Sequence, residues 1–112
     1  MGQDIQRRRT EALRYVSLGD RGRLNSIRCG ENESETHAVM KFNICWALHM
    51  AGKHFYTEAV LVEWRGKVCG RADILVLDDF RIIEIVCKET EKSIEAKRHK
   101  YPEVFDIEVV RC

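Results

Sequence analysis

Asp73 and Glu84 are the residues whose type and spacing best fit chemistry. Each is an acid set in an apolar run: Ala72-Asp73-Ile74-Leu75-Val76 and Ile82-Ile83-Glu84-Ile85-Val86. A carboxylate in the middle of an apolar strand is costly to bury unless something pairs with it. The two runs are joined by a tight turn at Asp78-Asp79, so they read as a β-hairpin. A hairpin can place Asp73 near Glu84 at the end where its strands diverge. Two acids on neighbouring strands suggest a cation between them. The competing reading is one buried acid paired with Arg71 or Arg81.

The elements that must position these acids follow from periodicity. Successive side chains on a strand point to opposite faces. Alternation puts Asp73 with Leu75 and Leu77, and Glu84 with Ile82 and Val86. The opposite faces carry Ala72, Ile74 and Val76, and Ile83, Ile85 and Cys87. Both faces are apolar, so the sheet is expected to be covered on both sides. Residues 55–63 add a strand before the hairpin, and 104–110 read as a final edge strand. Residues 1–18 read as a short basic helix, and 19–32 as an irregular loop. Ser34 is a good N-cap, with Glu33 and Glu35 around the first turn. The helix it opens, 33–51, is apolar nearly all round, which predicts burial. Within it His37 and Lys41 lie four apart on one face. Thr90 caps a helix over 90–100 that stops before Pro102.

With 112 residues the chain suits one domain with one modest core. It is 45% hydrophobic and 33% charged, ordinary for a globular protein. No run of about 18 apolar residues is present, so no membrane partner is expected. The polar and then basic start lacks the apolar core of a signal peptide. The expected location is intracellular: the cytoplasm, or the host cell if the source is viral. None of the five cysteines forms a Cys-x-x-Cys pair, which argues against a zinc ribbon. Cys45, Cys69 and Cys87 sit in apolar segments and are expected to be small core residues. Disulfides stay open, since intracellular proteins of hyperthermophiles form them.

The order of elements around Gly70-Arg71-Ala72-Asp73 and Ile82-Ile83-Glu84-Ile85-Val86 resembles the PD-(D/E)XK superfamily. These are the restriction-endonuclease-like nucleases, with small archaeal and viral members that resolve Holliday junctions. The segment Ser34-x-x-His37-x-x-x-Lys41 resembles a helix of small members. The resemblance covers residues 33–112, behind a basic helix and loop at 1–32. It implies a single α/β domain with a restriction-endonuclease-like αβββαβ core: a central four-stranded mixed sheet flanked by helices, here preceded by the basic helix. It also implies Mg²⁺ or Mn²⁺ held by Asp73, Glu84 and the backbone carbonyl of Val86. A Glu on the preceding helix often completes such a site; Glu35 is the candidate, with His37 beside it, and Lys41 and Glu58 are further candidates. Val86 stands where the family has its motif lysine. Valine can neither orient a water nor stabilise a phosphate under attack. Lys88, on the same strand face, is the candidate for a migrated catalytic lysine, and Lys92 on the next helix is a second.

Seven arginines fall in the first 28 residues of a chain whose net charge is only +1. Arg7, Arg8, Arg9, Arg21, Arg23 and Arg28 are therefore candidate contacts to DNA phosphates. The alternative is a solvated face paired with acids elsewhere. The resulting expectation is a metal-dependent DNA endonuclease, structure-selective and acting as a homodimer. The alternatives are a nuclease-fold protein that binds DNA or a protein partner without cleaving, and a structural domain whose two acids are merely salt-bridged.

Overall fold

The computed structural model describes residues 2–17, 22–63 and 65–112. The elements are α1 (Gly2–Leu13), α2 (Glu35–Met50), β1 (Phe55–Val62), β2 (Val68–Val76), β3 (Arg81–Val86), α3 (Glu91–Lys100) and β4 (Asp106–Arg111). The four strands form one sheet in the order β1-β2-β3-β4. β1, β2 and β3 are an antiparallel meander, and β4 joins β3 in parallel after the α3 crossover. The fold is therefore α/β around a mixed sheet. No described helix is long and apolar enough to cross a membrane.

Both sheet faces are covered. On one side Cys45 and Leu48 of α2 pack on Phe55, Ile74, Val76, Ile83 and Ile85. On the other, Ala12 and Val16 pack with Tyr56, Ala59, Leu61, Leu75, Leu77, Ile82, Tyr101 and Phe105. Ala72 joins Leu75 and Leu77 in this second cluster, so strict alternation along β2 breaks at Asp73.

The ends of the helices follow local chemistry. The Ser34 hydroxyl accepts the His37 amide at 3.2 Å and caps α2. Gly52, at φ +74°, closes its other end, while the Lys53 amide reaches back to the Leu48 carbonyl at 3.0 Å. The Thr90 hydroxyl accepts the Ser93 amide and caps α3. α1 ends at Leu13, short of the expected residue 18, because the next residues pair with the sheet. The Ser17 amide donates to the Val60 carbonyl and the Val62 amide to that of Tyr15. Arg9 fastens α1 to the β2–β3 turn, donating Nε and Nη2 to the Asp78 carboxylate at 3.1 and 2.9 Å. Burial pushes the Asp78 carboxyl up, but bonds from Arg9 and the His54 amide outweigh it and hold it below its usual value.

Two expectations fail in the packing. α2 is not buried all round: only Lys41, Cys45 and Leu48 are buried, and Val39, Phe42, Trp46 and Met50 are each more than half exposed. One sheet face can cover only one stripe of a helix. Among the three cysteines expected in the core, only Cys45 is there. Cys87 lies past the end of β3 and is disulfide-bonded to Cys112, and Cys69 is half-buried.

Candidate functional site

The two acids meet where the ladder between β2 and β3 runs out. Ile74 and Ile83 are the last paired residues. Beyond them the carboxylates replace the backbone ladder reciprocally. Glu84 Oε2 accepts the Asp73 amide at 3.1 Å, and Asp73 Oδ2 accepts the Ile85 amide at 2.8 Å. Glu84 Oε1 accepts the Tyr101 hydroxyl at 2.5 Å. Burial first, and the charge of Asp73 second, push the Glu84 carboxyl above its ordinary value; the Tyr101 bond only partly offsets them. Burial and the Glu84 charge likewise push the Tyr101 phenol up, so it stays a donor. Nothing in the sequence around Tyr101 marks it for this role. Arg81, offered as an alternative partner for a buried acid, forms its ion pairs with Asp79 and Glu108.

Glu58 faces Asp73 from β1, between the flanking pairs Thr57↔Ile74 and Ala59↔Ala72. Its backbone is left-handed, at φ +50°. Such a conformation costs a non-glycine residue roughly 1–2 kcal/mol and persists only where surrounding contacts hold it. Here those contacts are ionic. Lys41, 0% exposed, donates to Glu33 Oε1 at 2.6 Å, to Glu58 Oε2 at 3.1 Å and to the Arg28 carbonyl at 2.9 Å. All three ammonium protons are thereby used. Burial pushes this lysine down, but bonds to Glu33 and Glu58 outweigh it and leave it above its ordinary value. Burial pushes Glu33 up, but bonds from Lys41 and the Gly30 amide leave it below. Gly30 has room for this arrangement because it lacks a side chain: a Cβ there would sit 3.2 Å from Glu58 Oε1.

His37 links this cluster to the acid pair. Its Nδ1 lies 3.4 Å from Glu33 Oε2, and its Nε2 lies 3.5 Å from Asp73 Oδ2. Both distances are long for hydrogen bonds. Glu33 Oε2 and His37 Nδ1 are buried and otherwise without a hydrogen-bond partner. Glu33, His37, Glu58, Asp73, Lys88 and Glu89 all line one cavity of about 590 Å³.

The expected site residues thus divide. Asp73, His37, Glu58 and Lys88 share the cavity, and Glu84 stands behind Asp73. Lys41 lies behind the wall, committed to Glu33 and Glu58. Glu35 is exposed and does not line the cavity; Glu33, two residues earlier, takes that place. Lys92 is exposed on α3 away from the lining. Val86 is buried and its carbonyl accepts the Cys112 amide at 2.9 Å. Among the described residues, no three His, Cys, Asp or Glu side chains converge as they stand to enclose a metal ion. The arginine patch is also divided. Arg7, Arg8 and Arg23 are exposed, and Arg21 lies outside the described residues. Arg9 is spent on Asp78 and the Gly52 carbonyl, and Arg28 on the carbonyls of Thr57 and Glu58.

Comparison of the chain with protein-family models, with curated proteins and with solved structures found no match.

Proposed function

We propose that this protein is a metal-dependent phosphodiesterase acting on DNA, with a restriction-endonuclease-like core. The observation that carries the proposal is the reciprocally bonded pair Asp73 and Glu84, on diverging strands at the edge of an acid-rich cavity. The donor set suits Mg²⁺ or Mn²⁺. It consists of hard carboxylate oxygens, and Mg²⁺ is commonly held by one or two carboxylates together with waters and substrate phosphate. Each carboxylate oxygen accepts more than one partner, so the bonds to Asp73 Oδ2 and the Glu84 oxygens leave lone pairs for a cation. The upward push of Asp73 on Glu84 indicates a place that favours added positive charge. When bound, such an ion makes water a nucleophile at neutral pH and offsets charge on the phosphate.

The chain's own groups hold the frame. The Ile85 amide fixes the Asp73 carboxylate, with His37 Nε2 3.5 Å away, and the Tyr101 hydroxyl and the Asp73 amide fix that of Glu84. Lys88 is the cation on the cavity wall available to a phosphate. Of the candidate arginines, Arg7, Arg8 and Arg23 are exposed toward a DNA backbone.

A second reading is favoured by Val86, which is apolar, buried and bonded through its carbonyl. Without a lysine there, the protein binds DNA and does not cut it. One assay separates the readings: incubation of plasmid and branched DNA with Mg²⁺ or Mn²⁺, beside Asp73→Ala. Cleavage lost in Asp73→Ala supports the nuclease. DNA retention without cleavage supports the binding protein. Absence of both, with no Mn²⁺ binding by titration, removes both readings.

A further inference from the structure

Among the described residues, the outward face of α2 has no partner. Val39, Phe42, Trp46 and Met50 are 52%, 51%, 54% and 68% exposed. Their spacing of three and four residues aligns them in one stripe along the helix. Phe42 and Trp46 stack at 6.3 Å between ring centroids, and Trp46 lies against His49 at 5.7 Å. The stripe therefore already has a fixed shape.

We propose that this stripe is the contact between two copies of the chain, paired antiparallel through α2. A twofold axis between Phe42 and Asn43 sets Val39 against the partner's Trp46 and brings the two Phe42 rings together. A twofold contact must be complementary to itself, and this stripe is. The same axis brings Glu35, exposed at the N-terminal end, to the exposed His49 and Met50 at the partner's C-terminal end. It also sets the two helix dipoles head to tail.

Area agrees with this occupant. A fully buried aromatic side chain contributes ~150–250 Å², so half-exposed Phe42 and Trp46 leave about 100 Å² each. With Val39 and Met50 the stripe offers roughly 400 Å² of apolar surface per copy. A standard interface buries about 800 Å² per partner, some 450–500 Å² of it apolar. The stripe supplies most of that amount, and its polar flanks Thr36, Asn43 and His49 supply a rim. A lipid surface fits less well. Interfacial helices carry Lys and Arg on their polar side, and the only such residue in α2 is Lys41, which is fully buried.

The test is sedimentation equilibrium of the full chain over a range of concentrations, beside Trp46→Asp and Val39→Glu. Both side chains are more than half exposed, so each variant should keep its circular dichroism spectrum. The expected result is a dimer whose dissociation constant rises at least ~30-fold in each folded variant, as loss of a central interface residue implies. A chain that stays monomeric at high concentration overturns the proposal. So does a dimer that neither variant weakens, because the contact then lies elsewhere. So does binding of the wild-type chain to phosphatidylserine vesicles that Trp46→Asp abolishes, because the stripe then faces lipid.

Discussion

Replacing Lys41 by methionine tests whether the ionic cluster is what holds the wall of the cavity. Methionine nearly matches lysine in volume, so no large cavity opens and the loss isolates charge. Lys41 is fully buried, and the side chains of Glu33 and Glu58 are 4% and 14% exposed. Removing one partner of a buried ion pair costs about 3–5 kcal/mol, because the remaining charges stay desolvated. For 112 residues the unfolding entropy gives about 4 °C per kcal/mol. The expected fall in Tm is therefore about 12–20 °C at neutral pH. The pH dependence sharpens the prediction. In the wild type, Glu33 titrates below its ordinary value of 4.5, so its contribution is present above 4.5 and lost as pH falls through the lower folded value. Without Lys41 the burial and the Gly30 amide bond remain, and the strongest opposing bond does not. Its carboxyl is then pushed upward relative to the wild type, so the variant gains less stability than the wild type as pH rises. The deficit of Lys41→Met should thus be largest near neutrality and shrink toward acid pH. Adding Glu33→Gln and Glu58→Gln should recover most of it, since removing a whole buried network is often near neutral. Urea unfolding at several pH values, with m unchanged, is the assay. A loss below about 1 kcal/mol at neutral pH, the size of a solvent-exposed pair, would refute the reasoning, as would a deficit that does not shrink on acidification.

Glu84 titrates above its ordinary value of 4.5, so it removes stability as pH rises from 4.5 through that raised value. The difference in stability between Glu84→Gln and wild type should grow over this window by at most ~1.4 kcal/mol per pH unit; the glutamine can accept the Asp73 amide while donating to the Tyr101 oxygen, which keeps its own bond to the Arg71 carbonyl. Glu58→Gly should be more stable than Glu58→Ala by about 1 kcal/mol in urea unfolding, the reverse of the usual strand preference, because only glycine accepts the left-handed backbone without strain. Cys87→Ser with Cys112→Ser opens a bond spanning 25 residues and should lower stability by about 3 kcal/mol, a loss that reductant should reproduce in the wild type.

The hairpin and its acids were legible because alternation and the Asp78-Asp79 turn are local signals. The element order followed from the Ser34 and Thr90 caps, Gly52 and Pro102 for the same reason. What could not be read depends on contacts made across the chain. Nothing local marks Glu58 for a left-handed backbone; it is imposed by Lys41, seventeen positions away. Ser34 marks the start of α2, yet the cavity acid is Glu33 just before it, turned inward by bonds from Lys41 and the Gly30 amide, while Glu35 in the first turn stays exposed. An apolar circumference predicts burial only if the chain supplies cover on every side, and among the described residues nothing covers the outer side of α2. Three of the arginine assignments depended on what each guanidinium would find. Arg9 found Asp78 and Arg28 found the carbonyls of β1, whereas Arg7 remained exposed.

The chain segment after α1 has a consequence for the sheet as a surface for aggregation. An unpaired strand edge is a template for adding further strands. Val16 bridges Leu61, and the backbone bonds at Tyr15 and Ser17 occupy the outer edge of β1 along this stretch. At the other margin β4 is six residues long and exposes Asp106, Glu108 and Arg111. A second copy added there in parallel register would set like charges beside each other. One margin is therefore blocked by backbone and the other by charge, so edge-to-edge growth into fibres is discouraged on both sides.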